Sequence, residues 1–294
     1  MAELLSLLLV VALVVLLATG AVGLAALAMA GRVSAAALAT EAGPAAPTAT
    51  ADVGLRLRRL APLGVAAALF FLVAAVALRT ILVGHAPWSN LHEFTIAFAA
   101  AMLGTYLLLL RSAPIASLAP LAALLAAGLV AIALGLDDRI DPLVPALQQP
   151  LLLTVHVGSA ALSYAVAGVA FLAAAAELAQ RAAGDRLAAL PSREVLRSVG
   201  HRAVLLAFPI LTVAIALGSV WANLAWRAYW SNDPKELAAA ATWLVFGAYL
   251  HVAGRRDRWE SLAPWLIVLG FVGVLFTYLG AGLFIVGEHS YGAP

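Results

Sequence analysis

Eight apolar stretches constrain the fold of this chain more than any other feature. Each has about the length, roughly 20 residues, that an α-helix needs to cross the hydrocarbon core of a bilayer. Only 11% of the 294 residues are charged, against roughly 25% in soluble domains. The sequence predicts an all-α polytopic membrane protein, a single domain over 1–294, with about eight transmembrane helices near 4–30, 61–83, 94–110, 113–136, 151–178, 203–222, 236–253 and 262–286.

The first apolar stretch, 4–30, is expected to stay in the membrane as a span. It has no Lys or Arg before it, and it is longer than the apolar core of a signal peptide. The most polar connector, 38–54, is rich in Ala, Thr, Pro and Gly and is predicted to be a flexible loop.

Arginine and lysine predict the orientation of the bundle. Thirteen of the 17 fall at alternate connectors, and four fall on the other side. Because cytoplasmic loops carry the excess of positive charge, both termini are expected outside. The segments expected on that outer face are 84–93, 137–150, 221–236 and 287–294.

Several function classes find no support in the sequence. The chain has no cysteine, so it holds no thiolate site or disulfide of its own. It has no GxSxG, HExxH or P-loop motif and no basic tract for nucleic acid. Acidic residues are few within the spans, and Glu177 is expected at the inner interface. This argues against a proton-driven transporter.

Tryptophans cluster in the segment 218–251. Its aromatic residues include Trp221, Trp226, Tyr229, Trp230 and Trp243. One reading is an aromatic belt at headgroup depth; the other is a platform that stacks a large planar ligand. Trp226 and Trp230 are four residues apart, so a helical turn would place them on one face. The residues alone leave both readings open.

The tetrad from Asp233 to Glu236 is typical of a helix start. Asp is a favoured N-cap, Pro fits the first turn, and Glu three residues after the cap completes a capping box. Lys235 in this tetrad and the nearby Arg227 are two cations that could meet the carboxylates of an amphipathic ligand. A position at headgroup level explains them equally well.

Six histidines complete the set of candidate residues. His156 and His289 are expected at the depth of the tryptophans, where two imidazoles could bind a haem iron from opposite faces or contribute to a zinc site. His201 and His251 lie at the other membrane face, paired or separate. His85 and His92 flank a second capping pattern, from Asn90 to Glu93, that predicts the start of the third span, with Trp88 as a possible interface anchor.

The segment 221–251 resembles the tryptophan-rich WWD signature of the haem-handling proteins of cytochrome c biogenesis, a family that includes CcsA (also called ResC), CcmC and CcmF. The family pattern reads roughly WAxxxWGxYWxWDPKExWxxxxWxxxxxYLH. The matching positions are Trp221, Ala222, Trp226, Tyr229, Trp230, Asp233, Pro234, Lys235, Glu236, Trp243, Tyr249, Leu250 and His251.

Three further segments extend the resemblance to spans two to eight. They are GHAPWSNLHEF, the run HVGSAALSY from His156 to Tyr164, and GEHSYG at 287–292. Three positions depart from the family pattern: Arg227 replaces a Gly, and Asn232 and Ala238 replace tryptophans. The chain therefore resembles the family with a platform two tryptophans poorer than usual. The layout favours the CcsA branch.

The resemblance implies a function in cytochrome c maturation. His156 and His289 would be axial ligands of haem b on the outer face, and His251 would belong to a second haem site on the inward route. The other residues implied at the haem are Trp221, Trp226, Arg227, Tyr229, Trp230, Asp233 and Lys235. The chain would present haem, within a holocytochrome c synthase complex, for thioether attachment to the CxxCH segment of apocytochrome c.

The resemblance also implies partners and a location. The partners would be a CcsB/ResB-like membrane subunit, apocytochrome c and a thioredoxin-like thiol reductant, with no nucleic acid. The membrane would be the bacterial cytoplasmic membrane or a thylakoid-type membrane. Two alternatives stay open: a haem exporter or scaffold without ligation activity, and a small-molecule transporter with merely interfacial tryptophans.

Overall fold

The structure, a computed structural model, describes residues 2–39, 49–140, 147–148, 150–255, 261–281, 284–285 and 287–289. Within these ranges the chain forms helices and no strand, which confirms the predicted all-α class. The helices are α1 (Ala2–Ala39), α2 (Ala49–Val83), α3 (Leu91–Leu110), α4 (Ala119–Gly135), α5 (Pro150–Ala182), α6 (Arg193–Trp226), α7 (Pro234–Val252) and α8 (Ala263–Leu275), which continues into a π-turn at Phe276–Gly280.

Seven stretches within the described helices are long and apolar enough to cross a membrane. The eighth helix, α7, has 19 residues but is less apolar, because Lys235, Glu236 and His251 occupy its two ends. The helix starts predicted at Asn90 and Asp233 are confirmed, but only Asp233 forms a full capping box, because the Glu93 side chain accepts from the Ser89 amide and not from that of Asn90. The Asn90 side chain accepts a hydrogen bond from the Glu93 amide, and the box at Asp233 is complete.

Helix α5 is the central element of the bundle. It packs against α6, α3 and α8, and 67% of its most apolar window is buried, compared with 33% for α1. Its run of alanines lets neighbouring backbones approach closely, as small residues do in membrane helix packing. Gly168 of α5, for example, leaves room for Met102, whose sulfur would lie 3.1 Å from an added Cβ.

Several helix termini meet at one end of the bundle, which we call the tryptophan end. There the start of α5 contacts the last turns of α6, and the segment after α8 contacts the start of α7. The start of α3 contacts the end of α4. Also at this end, Arg79 donates to Glu93 at 2.7 Å, and both side chains are buried.

The opposite end of the bundle holds a second polar cluster. Arg197 of α6 donates to Glu177 of α5 at 3.0 Å. Glu177 is 3% exposed, because its ion pair allows it to be buried against α6, and its depth at the inner interface of the membrane stays a prediction. On the same end His201 lies 3.2 Å from the hydroxyl of Tyr249.

Two sequence expectations about the connectors change. The predicted loop 38–54 is partly helical, because α1 continues to Ala39 and α2 begins at Ala49. Helix α6 begins ten residues before the predicted 203, with charged first turns that pair with neighbouring polar groups. Two of the arginines used for orientation, Arg256 and Arg258, lie outside the described residues.

Candidate functional site

His156 lies in the second turn of α5 and faces α6. Its Nδ1 lies 2.9 Å from the carbonyl oxygen of Ala214. A carbonyl only accepts, so Nδ1 carries the proton and Nε2 keeps its lone pair when the ring is neutral. The ring stacks on Trp221 with centroids 6.0 Å apart and planes 16° apart. Gly218 makes this approach possible, because an added Cβ would lie 2.6 Å from Cε1 of His156.

His289 reaches the same tryptophan from the segment after α8. Its ring centroid lies 5.5 Å from that of Trp221 and 5.2 Å from that of Trp226. Its Nδ1 lies 2.8 Å from a carboxylate oxygen of Asp233, and its backbone amide donates to the other oxygen at 3.4 Å. The structure thus brings both predicted axial histidines to one indole.

Asp233 joins the start of α7 to His289. It is the N-cap of α7 and accepts from the Lys235 amide at 2.8 Å, while being 5% exposed. Burial raises the pKa of its carboxyl, but the hydrogen bond and charge of His289 outweigh burial and lower the pKa to about 2. Gly287 gives the carboxylate room, since an added Cβ would lie 2.3 Å from its Oδ2.

An apolar wall surrounds the two imidazoles. Trp221 is 2% exposed and meets Trp226 edge to face, with centroids 4.9 Å apart at 83°. Leu147 and Leu153 complete this wall. The indole nitrogen of Trp226 is buried without a hydrogen-bond partner in the described part of the chain, and an unpaired buried donor is costly unless a ligand uses it.

The rest of the predicted platform lies at the rim. Helix α6 ends at Trp226 because Arg227 adopts a left-handed φ of 64°, so the prediction that Trp226 and Trp230 share a helical face is wrong. Trp230 is 43% exposed, and its indole N–H donates to the side chain of Asn232 at 2.9 Å. Tyr229 is 61% exposed, and its carbonyl oxygen accepts from Ser219.

Backbone conformation explains one departure from the family pattern, Asn232, and makes Arg227 a strained replacement for Gly, while nothing in the structure explains Ala238. Asn232 has a φ of 60°, a region that Asn tolerates better than most residues. Arg227 occupies a left-handed position that favours Gly. Lys235, half-buried in the first turn of α7, anchors the cap through its backbone amide.

His251 lies at the other end of α7, away from this site. It is exposed, and no hydrogen bond to it occurs among the described residues. His201 contacts Tyr249 rather than His251, which answers the question that the sequence left open. His85 only reaches the carbonyl of the adjacent Ala86.

The arrangement suits a planar ligand with an axial metal better than a bare metal ion. No group of three or more His, Cys, Asp or Glu side chains that could hold a metal occurs in the described ranges. A haem iron needs only two axial ligands, and His156 and His289 each have Nδ1 engaged, which directs Nε2 to a metal. Sequence reasoning missed Gly218 and the Ala214 carbonyl, since both act across a helix interface.

Comparisons with known proteins point to one family. A family profile described as "Cytochrome C assembly protein" matches residues 63–289. The protein named "Cytochrome c biogenesis protein CcsA" from Chlamydomonas reinhardtii is 37% identical over 219 residues, which cover 71% of this chain and 62% of that protein. A protein of the same name from Gloeobacter violaceus is 50% identical over 88 residues, 30% of this chain and 26% of that protein.

A solved structure shares the fold. It is named "Cytochrome c Heme Lyase CcmF" and aligns with a TM-score of 0.62 at 21% identity, covering 93% of this chain and 46% of that one. The chain therefore spans less than two thirds of the length of the relatives it matches.

Proposed function

The chain belongs to the cytochrome c assembly protein family, and we propose that it is the haem-handling subunit of a cytochrome c synthase. In this role it presents haem b at the outer membrane face for attachment to apocytochrome c. One observation carries the proposal: His156 and His289 converge on Trp221 while each Nδ1 is engaged by a fixed partner.

The two imidazoles would hold haem as axial ligands through Nε2. The Ala214 carbonyl fixes the tautomer of His156, and the Asp233 carboxylate increases the basicity of His289, as outer partners of metal-bound histidines do. Trp221 lies against both rings, so haem entry requires its indole to give way. The N–H of Trp226 would then find an acceptor, and Trp230 and Tyr229 at the rim would contact the edge of the porphyrin.

Two cations near the rim would orient the ligand. Arg227 and Lys235 flank the connector between α6 and α7, and they are suited to bind the haem propionates. This orientation leaves the opposite, vinyl-bearing edge for the protein substrate. Each cysteine thiol of the CxxCH segment adds across one vinyl group: a carbon–sulfur bond forms, and the thiol hydrogen goes to the other vinyl carbon.

Other proteins would complete the reaction. The chain has no cysteine, so a thioredoxin-like protein would keep the substrate thiols reduced. His251 is exposed on α7 and would take its haem with a ligand from a CcsB/ResB-like membrane subunit. The excess of arginine at the opposite end supports an outward-facing tryptophan end, and the membrane would be a bacterial cytoplasmic or thylakoid-type membrane.

An absorption spectrum of the detergent-purified chain, co-expressed with a CcsB-like partner, tests haem binding. Wild type should show low-spin haem. His156→Gly and His289→Gly should each lose about one haem per complex and regain it with added imidazole, which fits the space left by the side chain. His201→Gln, at the opposite end, is the matched control. Equal haem content in all four proteins would contradict the site.

A reporter apocytochrome separates the synthase from its alternatives. A synthase gives covalent haem on the reporter that depends on His156 and His289. A scaffold or exporter binds haem and gives no thioether with the purified complex. A transporter with interfacial tryptophans gives no haem in wild type.

A further inference from the structure

A cavity of about 140 Å³ lies at the tryptophan end, between α1, α3 and α4. Its lining shares no residue with the site of His156 and His289. Four leucines form its apolar part: Leu5, Leu9, Leu134 and Leu136. Its polar part consists of Ser6, His92 and Asp138. The cavity is therefore a separate feature, built from the other half of the bundle.

His92 presents a nitrogen without a partner in this region. The residue is 3% exposed, and its Nδ1 lies 2.8 Å from the Ala133 carbonyl oxygen at the end of α4. That oxygen only accepts, so Nδ1 donates and the neutral ring keeps a lone pair on Nε2. Nε2 is buried and has no hydrogen-bond partner in the described part of the protein. A buried acceptor of this kind is costly unless a ligand satisfies it.

Asp138 adds a negative charge beside two cations that pair with other carboxylates. The side chain of Arg139 pairs with Asp137, its Nε lying 2.8 Å from Oδ2. Arg79 pairs with Glu93 and donates to the Arg139 carbonyl. Among the described residues, no hydrogen bond or ion pair engages the Asp138 carboxylate. The cavity lining therefore contains a histidine with an unpartnered ring nitrogen and an aspartate, and it contains no Lys or Arg.

We propose that this cavity binds a divalent transition-metal ion through Nε2 of His92 and the carboxylate of Asp138, with water molecules as the remaining ligands. Imidazole and carboxylate together suit such ions. A metal-bound histidine almost always donates its other N–H to a carbonyl, a carboxylate or water, as His92 does. At about 30 Å³ for each water, the cavity has room for an ion and several waters.

Binding of Cu²⁺ to the purified full chain tests this site, because electron paramagnetic resonance detects nitrogen ligands of Cu²⁺. The decisive variant is His92→Asn. The Asn amide N–H takes the place of the Nδ1–H and keeps the bond to Ala133, but the variant has no Nε2. Asp138→Asn removes the charge at constant shape. His85→Asn removes a histidine of the same segment that does not line the cavity and is the matched control.

Wild type and His85→Asn should each bind one Cu²⁺ more per chain than His92→Asn. Asp138→Asn should weaken the binding of that ion at least as much as loss of an outer partner does, by about tenfold or more. Haem content should be unchanged in every variant. If His92→Asn does not fold, the comparison of wild type with Asp138→Asn tests the proposal on its own, since Asp138 is exposed. The same Cu²⁺ stoichiometry and affinity in wild type and Asp138→Asn, or in wild type and a folded His92→Asn, would overturn the proposal.

Discussion

A histidine lies near each end of α7, and the surroundings of the two differ. At its start, Asp233 fixes the ring of His289 at 2.8 Å, and two indoles enclose that ring. At its end, roughly 27 Å away at 1.5 Å per residue, His251 is exposed. No hydrogen bond holds His251 within the described ranges, although the nearby Tyr249 hydroxyl contacts His201.

This difference lies in how many imidazoles the chain itself orients at each end. At the tryptophan end, α5 supplies one imidazole, the segment after α8 supplies the other, and partners from α6 and α7 hold their Nδ1 atoms in place. At the opposite end, the exposed imidazole lacks both a second histidine and an orienting partner among the described residues. The tryptophan end therefore holds two imidazoles in fixed orientations, whereas the exposed His251 has no such partner among the described residues.

The largest effect at the tryptophan end is expected from Gly218→Ala. The new Cβ would lie 2.6 Å from Cε1 of His156, so the imidazole must leave its place between α5 and α6. We expect haem affinity to fall by about 100-fold or more, about 2.8 kcal/mol at roughly 1.4 kcal/mol for each factor of ten, because one of the two proposed axial ligands is displaced. Titration of haem into the purified apoprotein measures the loss.

Gly128→Ala is the matched control for this change. Gly128 lies within α4, and nothing stands within 4 Å of an added Cβ there. Both substitutions raise helix propensity by the same amount, so only the contact with His156 distinguishes them. Equal haem affinities for the two variants would show that the position of His156 does not matter to the ligand.

Asp233→Asn separates the two roles of Asp233. Asn is as good an N-cap as Asp, so α7 should still begin at Pro234. The negative charge beside the His289 ring is lost, and loss of such an outer partner typically weakens metal binding by about 10- to 100-fold. Haem titration should show this loss, while Asp233→Ala should in addition destabilise α7. A variant with unchanged haem affinity would mean that the carboxylate only caps the helix.

The pH dependence of stability checks the same carboxylate. Its pKa is about 2 in the folded chain and about 3.9 in an unfolded one. A lowered folded-state pKa contributes stability above about pH 4, and this is lost as pH falls towards 2. The difference in Tm between wild type and Asp233→Asn should therefore be constant at neutral pH and shrink between about pH 4 and pH 2. A difference that persists at pH 2 would exclude ionisation of Asp233 as its source.

A smaller effect is expected from Arg227→Gly, which should raise the stability of the fold and lower the affinity for haem. A non-glycine residue at φ 64° costs roughly 1 kcal/mol, so the Gly variant should have a higher Tm. If the guanidinium binds a propionate, haem affinity should nevertheless fall severalfold. Asp185→Gly relieves a similar φ of 62° in the connector between α5 and α6 and should leave haem affinity unchanged. A rise in Tm without loss of haem affinity would mean that Arg227 does not bind a haem propionate.

Local signals in the sequence predicted local structure well. The N-cap at Asn90 and the capping box at Asp233 are present, because a cap depends on residues only three apart. The prediction that Trp226 and Trp230 lie on one helical face is wrong because one residue, Arg227, leaves the helical region. That break shows in the family pattern as a Gly but not in this sequence.

Contacts between distant segments could not be predicted in the same way. The Ala214 carbonyl at His156 and the Ala133 carbonyl at His92 are backbone atoms that any residue could supply. The contact of His201 with Tyr249 depends on the packing of α6 against α7. Hydropathy predicts that these helices exist, but their rotation and depth depend on packing that no local motif records.

The smallest effect is expected from His251→Gly, and it tests the comparison most directly. In the chain purified alone, the haem spectrum should match that of wild type, because His251 lies at the far end of α7 from Asp233. With a CcsB-like subunit co-expressed, the variant should lose about one haem per complex, and added imidazole should restore it. A loss of haem in the isolated chain would contradict the view that the His251 end is incomplete without a partner. An unchanged haem count in the complex would remove His251 from haem binding and leave the tryptophan end as the haem site supported by this chain.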